Sequence, residues 1–338
     1  MSDSIRVALV GCGYWGPNLA RNLYGLPAAQ LAALCDLDRA RLTPLAAFYP
    51  TARLTQDYEE LLADPTLDAI VLATPARTHA ALARAALERG KHVLVEKPLA
   101  MTVADAEQLV ALAAAQKRVL MVGHVFAYNP AVRYIKSLID GGELGEIYYI
   151  YSTRVNLGRV QTDINALWSI APHDVSILLY LLGRMPEQVT AQGATFLNGS
   201  VEDLVFMSLK FPGNILGHIH ASWLDPSKVR AMTVVGSRKM VVYDDVASEG
   251  KVKVYDKGVY RKSDGPGYGE FQYKLHSGDI LIPKLDMAEP LRLECEHFIN
   301  CIKNKTAPLT DGAEGLRVVR VLEAAQRSLD AGGAAVTL

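Results

Sequence analysis

The 338-residue chain is predicted to join an α/β domain to an α+β domain: a doubly wound parallel sheet over 1–123, then a mostly antiparallel open sheet with helices over 124–338. Three observations predict this. In the first third, short near-continuous apolar runs alternate with helix-compatible stretches, the pattern of a parallel sheet covered on both faces. In the remainder, strand-like runs follow one another with few helices between them. There the alternation has period two: Ile215, Gly217, Ile219 and Ala221 take one face of Ile215–Ser222, and Leu216, His218, His220 and Ser222 take the other.

The elements read in order as follows. Ile5–Val10 is an apolar run that leads into a glycine loop and a helix over 18–24. Further runs at 31–35, 69–73, 92–95 and 118–122 end at Asp36, Thr74-Pro75, Glu96-Lys97-Pro98 and Gly123-His124. Helices are expected at 80–89 and 102–116, the second opened by Thr102 and Asp105 at capping-box spacing. In the second half, strands are expected at 147–155, 188–195, 204–211, 215–222, 231–235, 239–243 and 252–255. Helices are expected at 131–140, 173–182, 290–303 and 314–330. Residues 246–283, rich in Gly, Tyr and Lys, read as a long excursion, mobile in part or part of a subunit contact.

Composition narrows the functions available. Half the residues are hydrophobic, 21% are charged and the net charge is −1, as in an ordinary soluble globular protein. No strong field favours nucleic acid or an anionic membrane surface. The four cysteines, Cys12, Cys35, Cys295 and Cys301, form no CxxC pair, so neither a disulfide framework nor a metal site is expected. With no basic-then-apolar signal at the start and no apolar run of about 18 residues, the expected compartment is the cytoplasm.

Gly11-Cys12-Gly13-Tyr14-Trp15-Gly16 follows a strand and opens a helix. Gly11 allows the tight turn, Gly13 lets backbone approach a pyrophosphate, and Gly16 lets the helix pack against the strand. The pyrophosphate then meets the positive end of the helix. Asp36, twenty residues after Gly16, ends the second strand, where a carboxylate accepts from ribose hydroxyls and repels a 2′-phosphate. This dinucleotide-binding (Rossmann) pattern points to NAD over NADP, with Arg39 weakening the preference because an arginine pairs with phosphate. A glycine turn without a dinucleotide, or a flavin site, are the other readings of the motif.

Glu96-Lys97-Pro98 lies at the carboxyl edge of the sheet, where ligands bind in this architecture. A lysine there can hydrogen-bond and polarise a substrate hydroxyl, or it can be a solvated loop residue. Lys97-Pro98 is also a candidate cis bond. The chain resembles the Gfo/Idh/MocA family of sugar and polyol dehydrogenases. The resemblance rests on the GCGYWG loop, Ala73-Thr74-Pro75 with His79, Glu96-Lys97-Pro98-Leu99, Gly123-His124, and Ala171-Pro172-His173-Asp174. It implies that Lys97 orients the reacting hydroxyl, that Tyr14, Trp15, Thr74, Pro75, His79 and Glu96 join the cofactor site, and that the second sheet serves substrate binding and oligomer contact, giving a homodimer or homotetramer.

His173 opens a helix whose apolar stripe is Val175, Leu178, Leu179 and Leu182. A helix N-terminus disfavours an imidazolium, so a neutral His173 is available to accept a proton; a capping histidine is the plainer reading. The family resemblance implies the acid/base role. Many relatives carry an aspartate four residues earlier, where this chain has Ser169. Asp174 and Asp163 are the candidates to compensate.

The loop from Arg154 to Trp168 gathers Arg154, Asn156, Arg159, Asn165 and Trp168. Arginine forks recognise phosphate or carboxylate, and aromatics stack on sugars and bases. The stretch resembles the nucleotide-sugar branch of the family, so Arg154, Asn156 and Trp168 are expected at a substrate such as UDP-GlcNAc or its uronic acid, oxidised at C3. Structural arginines are the alternative there. A free-sugar or inositol dehydrogenase and a catalytically silent NAD-binding regulator are the competing functions. His218 and His220 read as a sheet contact rather than a metal site.

Overall fold

The computed structural model describes residues 4–338 except 159, 162–163, 198, 200 and 263–271. The chain divides into two compact units: Met1–Tyr128 with Ala288–Glu323, and Asn129–Met287 with Ala324–Leu338. The sequence boundary at 123/124 differs from this. The helix Pro290–Asn304 and the first part of the next one, expected in the second domain, return to the first unit.

The first unit holds, among the described residues, a six-stranded sheet of β1 (Ile5–Val10), β2 (Ala29–Cys35), β3 (Arg53–Thr55), β4 (Ala69–Leu72), β5 (His92–Glu96) and β6 (Leu120–Gly123). All neighbours pair in parallel, in the order β3-β2-β1-β4-β5-β6. That order reverses between β1 and β4, which is where a doubly wound sheet opens a crevice at its carboxyl edge. Between the strands run α1 (Gly16–Tyr24), α2 (Arg39–Ala46), α3 (Tyr58–Ala63), α4 (His79–Glu88) and α5 (Val103–Gln116). Thr102 caps α5 by accepting from the Asp105 backbone N–H, as its spacing predicted.

The strands are mostly apolar because both faces are covered. Val7, Leu9, Ala69, Val71, Leu94 and Met121 pack in one core with Leu19 and Leu23 of α1. The opposite residues, among them Ala8, Val10, Ile70, Leu72, Val93 and Val95, are buried too.

The second unit contains α6 (Pro130–Asp140), β7 (Ile147–Val155), α7 (Ala166–Ser169) and α8 (Ala171–Leu182). The strands β8 (Gln188–Ala194), β9 (Leu204–Phe211), β10 (Ile215–Ser222), β11 (Val229–Gly236), β12 (Met240–Asp244), β13 (Val252–Lys262) and β14 (Gln272–Leu281) follow. After them come α9 (Pro290–Asn304) of the first unit, α10 (Gly312–Asp330) and β15 (Val336–Thr337). The described strands form one sheet in the order β14-β13-β12-β11-β7-β10-β9-β8-β15, antiparallel except for β7 with β10.

The faces of β10 follow the alternation read from the sequence. Ile215, Gly217, Ile219 and Ala221 are inward, and a Cβ on Gly217 would lie 2.8 Å from Leu178 of α8, so the helix needs glycine there. Leu216 and His218 face outward, while Ser222 is buried instead. The stretch 246–283 corrects its sequence reading: β13 and β14 pair as an antiparallel hairpin that extends the sheet. Its alternation is diluted by Lys, Gly and Tyr, so period alone did not reveal it. Among the described residues no helix is long and apolar enough to cross a membrane.

Candidate functional site

The loop between β1 and α1 is built as its glycines require. Gly11 has φ of 94°, and a Cβ on it would lie 2.5 Å from the Ala73 carbonyl oxygen. A Cβ on Gly16 would lie 2.1 Å from the Gly11 carbonyl oxygen, so only hydrogen fits where α1 meets the turn. At Gly13 the one nearby atom is Arg41 Nη1, 3.5 Å from a built Cβ, which leaves the backbone bare beside the start of α1. Asp36 is buried at the end of β2, held by the Cys12 N–H at 2.7 Å and the Asp38 N–H at 2.9 Å. Each carboxylate oxygen keeps a lone pair for a hydroxyl. Bare backbone at a helix N-terminus with a fixed carboxylate one strand away fits the pyrophosphate and ribose of NAD.

Arg39 and Arg41 divide the positive charge at the start of α2. Arg39 is exposed at the first position of α2, whereas Arg41 places its guanidinium 3.7 Å from Asp36 and 3.5 Å from Asp38. Asp38 caps α2 through the Ala40 N–H, and this turn carries Arg41 back over the glycine loop. Tyr14 is exposed, and Trp15 turns its indole N–H onto Glu96 Oε1 at 2.6 Å.

The carboxyl edge of β4, β5 and β6 gathers the remaining motif residues of this unit. The Lys97-Pro98 bond is cis. His79, at the start of α4, is buried beneath this edge. Its ring nitrogens lie 2.7 Å from the Pro98 carbonyl and 2.9 Å from the Thr74 carbonyl, and burial pushes its pKa down. His79 therefore ties the Thr74-Pro75 turn to the Lys97-Pro98 turn and does not itself face an open surface. Glu96 receives the Trp15 indole and, at 3.3 Å, the Lys97 backbone N–H. Burial pushes its pKa up to about 7, against the opposing charge of Lys97. His124 is buried next to Gly123 without a hydrogen-bond partner on either ring nitrogen, and burial with the nearby Lys97 charge takes its pKa down to about 3.

In the second unit, His173 sits in the first turn of α8, which begins at Ala171 with Pro172 in that turn, and its carbonyl accepts from Ser176 Oγ at 2.8 Å. Ser169 ends α7 and accepts from Gln161 Nε2 at 3.2 Å. Asp174 does not reach back to support His173. It takes a two-pronged contact from Arg154 on β7, Nε at 2.6 Å and Nη2 at 3.3 Å, with both residues buried.

Arg154 is therefore interior, with its fork turned onto a buried carboxylate. Trp168 is likewise interior: its indole N–H donates to Gln326 Oε1 at 3.2 Å, and the residue is 5% exposed. Asn156 is half-buried, and its backbone N–H bonds the Ser222 carbonyl. Arg159 and Asp163 lie outside the described residues.

Sequence reading missed Arg41, Glu294 and the role of Arg154. A signal for Glu294 was present: it is a lone acid in the buried stripe Leu291, Cys295, Phe298 and Ile302 of α9. Among the described residues no group of three or more His, Cys, Asp or Glu side chains is placed to hold a metal ion.

Residues 5–124 match the family model "Oxidoreductase family, NAD-binding Rossmann fold" and residues 132–242 match "GFO/IDH/MocA C-terminal domain". The chain is 32% identical to the uncharacterized oxidoreductase YdgJ of Escherichia coli over 252 residues, 70% of each protein. It is 27% identical to scyllo-inositol 2-dehydrogenase (NAD(+)) of Bacillus subtilis over 91% of this chain and 89% of that protein. It is 25% identical to UDP-N-acetylglucosamine 3-dehydrogenase of Acidithiobacillus ferrooxidans over 93% of this chain and 94% of that protein. Among solved structures, GenD2 from gentamicin A biosynthesis, in complex with NAD, superposes with a TM-score of 0.84 at 26% identity, covering 100% of this chain and 97% of that one. With its glycine loop, buried acid at the end of β2 and Lys-Pro edge in place, the chain belongs to the GFO/IDH/MocA oxidoreductase family, and its first unit is an NAD-binding Rossmann domain.

Proposed function

We propose that this protein oxidises a secondary hydroxyl, C3, of a nucleotide sugar such as UDP-GlcNAc or its uronic acid, with Lys97 and His173 as the catalytic residues. The observation that carries this reading is the end-to-end relationship, over 93% of the chain, with an enzyme that acts on UDP-N-acetylglucosamine at that position. NAD, when bound, takes up the hydride. Lys97 orients the reacting hydroxyl as a hydrogen-bond donor, and His173 accepts the proton that the alcohol loses. Glu96 keeps a carboxyl beside Lys97, whose charge opposes the burial that raises the Glu96 pKa.

A cyclic polyol is the second reading. It is favoured by the relationship to scyllo-inositol 2-dehydrogenase and by the interior placement of Arg154 and Trp168, two of the groups expected to grip a nucleotide. Following NAD reduction with UDP-GlcNAc, its uronate, glucose, myo-inositol and scyllo-inositol separates the two. On the first reading, kcat/KM for a nucleotide sugar exceeds that for every free polyol by about 100-fold or more. The reverse order replaces it with the second reading. No oxidation of any of them, with NAD bound tightly, overturns the enzymatic assignment of Lys97 and His173.

The same reading includes a homodimer or homotetramer formed through the outer face of the second sheet. Tyr149 and Tyr151 on β7, Leu216 on β10 and Phe206 on β9 are all more than 40% exposed on neighbouring strands. Phe206 stacks on His220 at 4.5 Å between centroids, so the patch is ordered as well as apolar. A contiguous apolar patch of this kind marks an interaction surface. Light scattering is expected to give a multimer for the wild type and a monomer for Tyr151→Arg/Leu216→Arg; a monomeric wild type rules the assembly out.

A further inference from the structure

The ion pair between Arg154 and Asp174 lies one residue from His173. Asp174 and Arg154 are 2% and 7% exposed, and an ionised pair so far from water is retained only where its geometry is satisfied. Arg154 meets that condition with two nitrogens of a planar fork on two oxygens of one carboxylate.

The strand that carries Arg154 is the interior of its sheet. β7 pairs with β11 on one side and β10 on the other, with Arg154 opposite Arg230 and Ala221. Ala221 is fully buried. Arg230 has its own carboxylate, Asp245, at 3.7 Å. Arg154 is therefore anchored at both flanks by the sheet, and Asp174 is the group it holds.

Asp174 belongs to the first turn of α8, a turn with no side-chain cap: the residue before it, Ile170, makes no capping bond. The start of a helix frays unless something ties it down. Here the tie is the ion pair to β7. The side chain of His173 leaves the same turn, so the direction of its imidazole depends on where that turn is held.

We propose that Arg154 is a positioning residue for His173: by gripping Asp174 from the centre of the sheet it fixes the first turn of α8 and thereby the placement of the imidazole. Arg154 does this in place of the anion-binding role its sequence neighbourhood suggested. It also accounts for a carboxylate that stands beside His173 yet is directed away from it. The consequence for catalysis rests on the assignment of His173 as the proton acceptor in the proposed function.

Two measurements separate the parts. Selective 13Cε1-histidine labelling gives one imidazole signal per histidine, and the His173 signal is identified by its loss in His173→Asn. In Arg154→Met and in Asp174→Asn the His173 signal is expected to shift or broaden, while those of His79 and His92 in the first unit stay in place. Arg154→Lys, which keeps the charge and loses the fork, is expected to restore only part of the effect. An unchanged His173 signal in folded Arg154→Met overturns the proposal. Should Arg154→Met fail to fold, Arg154→Lys and Asp174→Asn carry the same test.

Turnover is the second measurement, with UDP-GlcNAc and myo-inositol as probes. Arg154→Met is expected to lower kcat by about 30-fold with KM and the NAD dissociation constant changed less than about threefold, the pattern of a misplaced group rather than a lost binding contact. A rise in KM alone would return Arg154 to substrate binding and overturn the proposal. If His173→Asn turns over normally, the proposed function fails, while the histidine signals still decide whether Arg154 positions the ring.

Discussion

Replacing Lys97 with alanine is expected to lower turnover by about a thousandfold, the combined worth of orienting a hydroxyl and supplying a charged donor to it. NAD affinity should change less than about threefold, because the glycine loop and Asp36, the proposed cofactor contacts, are held by bonds of their own. The loss has an electrostatic echo. Lys97 is the cation that opposes the burial of Glu96, so in the alanine variant Glu96 takes up its proton at still higher pH. Lys97 also depresses His124, which becomes easier to protonate once that charge is gone. Steady-state kinetics beside NAD titration of Trp fluorescence checks both halves. Activity above a tenth of wild type would remove Lys97 from the chemistry, whereas loss of NAD binding would recast it as a cofactor residue.

The second large effect concerns stability. Glu294 lies on the buried face of α9, with no exposed surface and no hydrogen-bond partner on either carboxylate oxygen. Burial, and next the charge of Glu96, hold its pKa well above the usual carboxylate range. Such a group keeps its proton in the folded state after the unfolded chain has released it. The folded state then binds more protons than the unfolded one, so stability falls as pH rises above the unfolded value of about 4.5, by up to about 1.4 kcal/mol per unit. Glu96 adds to the same slope up to about 7, where its own folded titration lies.

Glu294→Leu removes one contributor and fits the stripe of Leu291, Cys295, Phe298 and Ile302. Its Tm advantage over wild type is expected to widen by about 5 °C between pH 5 and pH 8, as a few kcal/mol moves a domain of this size. Scanning calorimetry at the two pH values reads this directly. A gap that stays constant or narrows would mean that Glu294 finds a partner in solution.

How much was legible beforehand varies along the chain for physical reasons. The parallel sheet was readable because strands buried on both faces carry near-continuous apolar runs, as 7–10 of β1, the whole of β4 and 93–95 of β5 do. The hairpin of β13 and β14 was readable only at 252–255, since Lys, Gly and Tyr break the alternation beyond that run. Arg39 and Arg41 illustrate a finer limit. They sit two residues apart at a helix start, and only the turn made by Asp38 decides which one reaches Asp36. Arg154 and Trp168 had the chemistry of ligand-binding residues, but Asp174 and Gln326 are partners that no local pattern announces.

The glycine loop, Asp36, the Glu-Lys-Pro edge and the start of the His173 helix were determined by sequence alone, because each is a local device: a turn, a strand end or a helix N-terminus specified by its own residues and their spacing. The folded chain alone decided where long side chains spend their charge. It buried Arg154 against Asp174, turned Trp15 onto Glu96 and brought α9, with Glu294, back to the first unit. Those outcomes depend on contacts between residues 20 to more than 190 positions apart, and burial, which sets the state of every such group, is a property of the packed chain rather than of any segment of it.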